Sequence, residues 1–83
     1  MTTNELIQRR VVLLETDERA GLVAAIADAC TERAISLEIT TGPGHVLISF
    51  AATNTDVDAI RDAFRTIPGV AGVHVYAVAS PLK

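Results

Sequence analysis

The chain has 83 residues, enough for one small domain with a single core. Hydrophobic residues make up 49% of it, but aromatic residues only 4%, so the core must be built from aliphatic side chains. The net charge of −3 argues against a phosphate-binding surface, because non-specific nucleic-acid affinity comes from clustered Lys and Arg.

The cysteine content and the lengths of the apolar runs indicate the cellular compartment of the protein. The single cysteine, Cys30, excludes an internal disulfide and a multi-cysteine metal site. Residues 1–8 are polar and lack the apolar segment of a secretory signal. No apolar run approaches the roughly 18 residues of a membrane-spanning helix. These features predict a cytoplasmic protein that binds neither nucleic acid nor a membrane.

The first predicted strand covers residues 9–15. Its four consecutive apolar residues, VVLL, are typical of a central strand that is covered on both faces. A charged turn with one glycine follows and leads into a helix over residues 22–33. Leu22, Ile26 and Cys30 are spaced by four and form its apolar stripe, so Cys30 is predicted to be a small buried hydrophobe.

The next two strands are predicted to form a hairpin. Residues 35–41 alternate in polarity, with Ile35, Leu37 and Ile39 on one face. A Gly-Pro-Gly segment then marks a tight turn. Residues 45–52 alternate again, which completes the hairpin pattern.

The last part of the chain predicts a helix followed by a strand. Residues 53–66 have helical spacing, and Thr55 with Asp58 forms a plausible capping box, with Asn54 as the rival cap. A Pro-Gly pair ends this helix. Residues 70–79 form the last predicted strand.

The order strand, helix, strand, strand, helix, strand predicts an α+β fold, the ferredoxin-like βαββαβ sandwich. Right-handed crossovers place both helices on one face of a four-stranded antiparallel sheet with strand order 4-1-3-2. The chain is therefore predicted to be one domain, residues 1–83, with an ordered core over about 9–79 and flexible tails.

The sheet face opposite the helices has no predicted cover. It mixes apolar and polar side chains, which is typical of a partner surface. Two copies of the chain could stack through this face, or pair through the edges of their second strands, and the sequence does not rank the two dimers. The residues predicted here are Val12 and Leu14 or their neighbours, with Ser36, Glu38, Thr40, Leu47, Ser49, His74, Tyr76 and Val78.

Three short segments resemble the ACT domain family: residues 17–23 (DERAGLV) before an alanine-rich helix, residues 34–37 (AISL) and residues 67–70 (IPGV). In that family a strand ends in an acidic or amide residue, Arg/Lys-Pro-Gly opens the helix, and a Gly-Ile-Asn-Ile-like segment begins the second strand. The resemblance covers about residues 9–79. It implies a regulatory domain of a kind that often binds an amino acid, usually at an interface between paired domains, and whose partner is a regulated enzyme or another protein.

The resemblance also implies a ligand site at the turn between the first strand and helix. Gly21 matches the family glycine that permits close approach, and Glu18 falls where the family often contacts the amino group of the ligand. Thr16 and Ser36 match two further contact positions. Free N–H groups at the helix N-terminus suit a carboxylate. The predicted ligand-binding residues are Thr16, Glu18, Arg19, Ala20, Gly21, Leu22 and Ser36.

Three positions depart from the family pattern. Ala20 replaces the usual proline, Ala34 the usual glycine, and Ser36 the usual asparagine. The alternative interpretation of residues 17–19 is a solvated charged turn that favours the helix dipole. The corresponding alternative function is a dimerisation or protein-interaction module without a small ligand.

No catalytic constellation competes with this turn. His45 and His74 lie on different strands without a Cys or carboxylate at metal-ligand spacing, and Ser49 has no partnering His or Asp. A single-stranded RNA binder would need aromatic residues on the exposed face of the central strands. A phosphatase would need a glycine-rich anion cradle beside Arg19. The sequence therefore predicts a homodimeric domain that is not an enzyme and has no metal and no cofactor.

Overall fold

The computed structural model describes residues 6–17 and 19–77. Its six elements follow the predicted order: β1 (Gln8–Thr16), α1 (Leu22–Cys30), β2 (Ile35–Gly42), β3 (His45–Ala52), α2 (Asn54–Arg65) and β4 (Val70–Ala77). The predicted last strand ran to residue 79, and its final two residues lie outside the described ranges. No helix within these ranges is both long and apolar enough to cross a bilayer.

The four strands form one antiparallel sheet in the order β2-β3-β1-β4. This is the predicted order, counted from the other edge, with β1 and β3 in the centre. Leu14 lies opposite Val46 on β3 and Val73 on β4, so three strands contribute to the same core layer. Both helices cover that side, and the ferredoxin-like fold is confirmed.

The core lies between the sheet and the two helices. It is aliphatic except for two phenylalanines, and Cys30 is fully buried in it, as predicted. The buried residues are Val12, Leu14, Leu22, Ile26, Cys30, Val46, Ile48, Phe50, Ala52, Val57, Ile60 and Phe64.

The side of the sheet away from the helices is the open face. Directly opposed residues of neighbouring strands share a face, so the register defines its members. They are Arg9, Val11, Leu13, Glu15, Ile35, Glu38, Thr40, His45, Leu47, Ser49, Ala51, His74 and Tyr76. Val78, which was also predicted here, lies outside the described residues.

Of the two alternatives that the sequence left open for β1, the neighbours of Val12 and Leu14 are the residues on the open face. Val12 and Leu14 are 1% and 0% exposed and belong to the core, whereas their neighbours Val11 and Leu13 lie on the open face. The physical reason is that β1 is central. Both of its sides carry apolar residues, and an unbroken apolar run has no period that could assign them.

A bulge in β2 places Ile35 on the face opposite to the predicted one. Ile35 was expected beside Leu37 and Ile39, but it pairs with Ala51 and is 57% exposed. The register shifts between Ile35 and Glu38, and Ser36 has a left-handed backbone with φ 56°. One extra residue in a strand moves the preceding side chain to the other face. Leu37 and Ile39 still pack against the core.

The helix boundaries also differ from prediction. α1 ends at Cys30, and residues 31–33 form a turn. The N-cap of α2 is Thr53, whose hydroxyl accepts a hydrogen bond from the backbone N–H of Asp56 at 3.2 Å. The predicted box of Thr55 with Asp58 is therefore wrong. Asn54 is no cap either, because it lies inside the helix and its side-chain oxygen accepts from Arg10.

Candidate functional site

Three chain connections meet at one end of the sheet. The β1–α1 turn (residues 17–21) is held between the β2–β3 hairpin and the connection from α2 to β4. The backbone N–H of Thr16 donates to the carbonyl of Gly44, and that of Asp17 donates to the carbonyl of Gly69, both at 3.0 Å. Backbone hydrogen bonds thus fix the start of the turn from both sides.

Gly21 sets the geometry at the start of α1. It is the N-cap residue, with φ 84°, a conformation that glycine adopts without steric cost. Its carbonyl accepts from the N–H of Ala25 at 3.1 Å and so begins the helix. Because Gly21 has no side chain, the cap residue offers the first N–H groups of α1 no acceptor. The N–H of Leu22 donates to the carbonyl of Arg19 at 3.4 Å, and the donors that follow it, together with the helix dipole, favour an anion at this point.

Asp17 and Arg19 form an ion pair within the turn. The Arg19 Nη2 and Nε atoms lie 2.7 and 3.0 Å from Asp17 Oδ2, and the Arg19 backbone N–H donates to Oδ1 at 3.2 Å. The hydrogen bond from the Arg19 side chain holds the pKa of the Asp17 carboxyl below its ordinary 3.8 and raises the pKa of Arg19. Both side chains remain about half exposed, at 47% and 53%.

Gly69 lies directly against the side chains of this pair. A Cβ atom at that position would lie 2.7 Å from Asp17 Oδ1 and 2.9 Å from Arg19 Nε. At those distances a Cβ atom would force the side chains of Asp17 and Arg19 to move from their present positions. The residue has φ 99°, which also favours glycine. The present position of the pair therefore requires the space that Gly69, a residue from a distant part of the chain, leaves open.

Shallow grooves adjoin Arg19 on either side. One of about 270 Å³ runs over Thr16, Asp17, Arg19, Gly69, Val70 and Ala71. A second of about 260 Å³ is more apolar and is lined by Thr16, Arg19, Leu22, Val23, Thr41 and Val46. A larger depression of about 460 Å³ lies among mostly polar residues at the C-terminal end of α1 and does not reach the β1–α1 turn. The ionic pair with an apolar groove beside it is the better candidate, because recognition sites combine a few polar groups with apolar walls.

Most of the predicted site residues come together at this end. Thr16, Arg19 and Leu22 line the apolar groove. Ala20 and Gly21 line a smaller neighbouring groove against Pro68. Glu18 lies outside the described residues. The geometry adds Asp17, Thr41, Val46 and Gly69, of which Asp17 and Gly69 belong to segments that the resemblance singled out.

Ser36 does not join this cluster within one chain. Its neighbour Ile35 pairs with Ala51, which in turn pairs with Arg9 near the far end of β1. Thr16 lies at the opposite end, beside Gly44. About six strand residues separate the two ends, and at roughly 3.3 Å per residue this is about 20 Å.

The two histidines make separate contacts outside this cluster. On the open face, His74 Nε2 lies 2.8 Å from Glu15 Oε2. The ring of His45 lies over Gly42, and its Nδ1 is 3.1 Å from the carbonyl oxygen of Pro43. Across residues 6–17 and 19–77, no three His, Cys, Asp or Glu side chains are grouped as a metal site.

Solved structures of low sequence identity share this architecture. The ACT domain from the GTP pyrophosphokinase of Chlorobium tepidum matches with a TM-score of 0.64 and 13% identity, over 86% of this chain and all of that one. An uncharacterized protein from Thermotoga maritima matches with a TM-score of 0.63 and 11% identity, over 89% of this chain and all of that one. The C-terminal domain of the MgtC protein from Mycobacterium tuberculosis matches with a TM-score of 0.59 and 17% identity, covering 93% and 94%.

Comparisons of sequence find no such match. No family model matches the chain. No curated protein matches it either. At the identities above, structural likeness establishes the fold alone. The match with the ACT domain extends over most of this chain and all of that domain, so the chain is an ACT-like domain in its fold.

Proposed function

We propose that this protein is a regulatory domain that binds a free amino acid at the β1–α1 turn and acts as a dimer. The observation that carries the proposal is the Asp17–Arg19 pair beside the N-terminus of α1. A free amino acid presents an ammonium group next to a carboxylate. The turn offers a carboxylate, a guanidinium and helix N–H donors within one short segment, which is the complementary arrangement.

The ligand would exchange partners with the existing ion pair. Its ammonium group would take the carboxylate of Asp17, and its carboxylate would take the guanidinium of Arg19. Solvent screens an exposed ion pair, so separating Asp17 from Arg19 costs little. The predicted contact from Glu18 would add a second acceptor for the ammonium. Ser36 could reach such a ligand only from a second copy, and the proposal does not depend on it.

The partner in this proposal is an enzyme whose activity the domain adjusts. The Chlorobium tepidum neighbour is an ACT domain of an enzyme, a GTP pyrophosphokinase. The small size of this domain and its uncovered sheet face suit a module that acts through another protein.

Thermal denaturation in the presence of each common amino acid tests the ligand. A compound that binds only the folded state stabilises it by RT ln(1 + [L]/Kd), about 2.7 kcal/mol at a hundredfold excess over Kd. We expect one amino acid or a related group to raise Tm at millimolar concentration. R19Q should abolish this shift, and R65Q, which removes an exposed arginine from α2, should preserve it.

The second candidate function is a dimerisation module without a small ligand. It is favoured by the exposed apolar side chains of the open face, where Leu47 is 40% and Tyr76 is 53% exposed. If no amino acid shifts Tm while sedimentation shows a dimer, this second function is the correct one. A monomer at micromolar concentration would contradict the dimer in both proposals.

A further inference from the structure

The open face carries a charge pattern along its central strand. At alternate positions β1 presents Arg9, Val11, Leu13 and Glu15, that is, a cation, two apolar residues and an anion. Leu47 lies beside Leu13 on β3 and extends the apolar centre. The two charges lie at opposite ends of the strand, with the exposed apolar surface between them.

Each charge has local polar contacts that leave it available. Arg9 Nη1 donates to the Ser49 hydroxyl at 2.7 Å, and no carboxylate within the described parts of the chain forms an ion pair with Arg9. Glu15 Oε2 lies 2.8 Å from His74 Nε2, while the side chain of Glu15 is 59% exposed. A partner that brings an anion to Arg9 and a cation to Glu15 would satisfy both ends together.

We propose that a second copy of this chain covers the open face, with the two β1 strands crossing antiparallel about a twofold axis. This inference rests on the dimer of the proposed function and gives it a geometry. A twofold interface places residue i against j and j against i. Antiparallel overlay of β1 sets Arg9 against Glu15 of the partner subunit at one end, and the reciprocal pair forms at the other. Val11 then lies against Leu13 of the partner subunit in the centre.

Two other arrangements fit the charges less well. A twofold axis parallel to the strands would lay β1 over β3 and set Arg9 against Ala51 of the partner subunit, which leaves the cation without a counter-charge. Edge-to-edge pairing through β2 would meet the bulge at Ser36, and bulges protect sheet edges from such pairing. Sheets stacked face to face at about −30° keep their strands nearly aligned, as the proposed overlay requires.

Charge reversal tests this geometry. Sedimentation equilibrium of the full chain at low salt gives the dimer dissociation constant for wild type, R9E, E15R and the double variant R9E/E15R. Each single reversal places two like charges against each other at both ends of the twofold interface. We therefore expect the dimer Kd to rise by roughly 10- to 100-fold. The double variant restores opposite charges and should return Kd to within about threefold of wild type. R65E, on the helix side of the molecule, should leave Kd unchanged.

The design separates the interface from other effects. E15R also breaks the contact with His74, but R9E does not, so weakening by both variants and recovery in the double variant isolate the cross-subunit pair. Circular dichroism and Tm of each variant establish that it is folded. Leu47→Glu, which inserts a carboxylate into the apolar centre, should give a folded monomer.

Every other outcome overturns the inference. A wild-type dimer that tolerates both reversals, or that R9E/E15R fails to restore, excludes this overlay while leaving a dimer in place. If H45A is then the substitution that weakens the dimer, β1 lies over β3, because Glu15 would face His45 there. A wild-type monomer at all concentrations refutes the dimer itself, or indicates that a different protein covers this face. Amino-acid binding at the β1–α1 turn is measured separately by thermal shift, and its result does not depend on the outcome of the charge reversals.

Discussion

Asp17 and Arg19 show how a short turn can hold opposite charges ready for a ligand. The backbone N–H of Arg19 donates to the Asp17 carboxylate, which folds the arginine side chain back toward the same group. Such side chain–backbone contacts are the usual way in which aspartate orders a turn. The pair is ordered locally yet exposed to solvent. It can therefore exchange partners without disturbing the core.

The first prediction concerns the titration of Asp17. Because Arg19 stabilises the charged carboxylate, its pKa in the folded protein lies below the ordinary 3.8. The ion pair stabilises the folded protein at pH values above the ordinary pKa of the carboxyl group. This stabilisation is lost as the pH falls through the lowered pKa of Asp17 in the folded protein. Carboxyl ¹³C chemical shifts followed by NMR should give a midpoint below 3.8. R19Q should move this midpoint upward, whereas R65Q should not. Equal midpoints in wild type and R19Q would show that the pair does not persist in solution.

The second prediction concerns Gly69, with Gly44 as the matched control. Both glycines have positive φ, and both carbonyls accept an N–H from the end of β1 or the turn. Alanine at either position should cost about 1–2 kcal/mol of the free energy of unfolding, measured with urea, because of the left-handed backbone. Only at Gly69 would the new Cβ displace the ion pair, since nothing lies within 4 Å of a Cβ at Gly44. The Asp17 midpoint should therefore rise in G69A and stay in G44A. An unchanged midpoint in G69A would contradict the described packing.

At the scale of the element, the bulge in β2 is the main departure from regular structure. Ser36 holds φ 56°, a conformation that costs an L-residue about 1–2 kcal/mol. The third prediction follows: S36G should stabilise the protein by about 0.5–1 kcal/mol in urea denaturation. T40G, in the regular part of the same strand, should destabilise it by a similar amount. Destabilisation by S36G would mean that β2 is regular at this position.

The order of elements and the topology could be predicted because each segment has a clear period. β3 alternates strictly, and the helices repeat at three and four, so the core positions Val46, Ile48, Ile60 and Phe64 follow from spacing alone. On β4, His74 and Tyr76 lie on the open face as predicted. Two strand–helix–strand halves around a hairpin then leave few topologies to choose from.

The faces of β1 and the end of β2 could not be predicted, for different reasons. The segment from Val11 to Leu14 contains no polar residue that would indicate which side faces solvent. Only the strand register assigns these residues to the two faces of the sheet. Ile35 fits the alternating pattern in the sequence, but in the structure it lies on the face opposite to Leu37 and Ile39. The bulge adds a residue to the strand, and the sequence pattern gives no sign of it. The two predicted caps of α2, Asn54 and Thr55, lie one and two residues after the actual cap, since Thr53, Asn54 and Thr55 are all good cap residues.

The candidate site was predictable only where it is local. The turn and Gly21 belong to one segment, so sequence placed them together. The carbonyls of Gly44 and Gly69 come from distant connections, and backbone hydrogen bonds leave no signature in side-chain patterns. Ser36 was assigned by resemblance, and the antiparallel register puts it at the far end of the sheet in the same chain.

At the scale of the whole molecule, the sheet separates two different surfaces. The side under the helices is a buried apolar core, and the open face is a mixture of apolar, polar and charged side chains. Ligand and partner are therefore assigned to different parts of the fold in our proposals, the ligand to the end of the sheet and the second copy to its face. Contact between them would run through β1, which carries Glu15 on the open face next to Thr16 in the candidate site.

The fourth prediction uses Cys30 to report on the core. Its thiol is fully buried, and burial raises its pKa from 9.0 to about 11, because the thiolate is poorly solvated there. The unfolded chain therefore releases this proton at lower pH than the folded protein. The stabilisation is complete below pH 9 and is lost as the pH rises toward 11. Between about pH 8 and about pH 10.5 the free energy of unfolding should fall by about 2 kcal/mol from this group.

Urea denaturation of wild type and C30A at both pH values isolates this contribution. C30A removes the thiol and some packing, so its stability is lower throughout, but only the pH dependence is compared. Other groups that titrate in this range are present in both proteins and cancel in the difference. Wild type should lose about 2 kcal/mol more than C30A over the interval. Parallel pH profiles would mean that the Cys30 thiolate is solvated in the folded protein, and thus that the end of α1 opens readily to water.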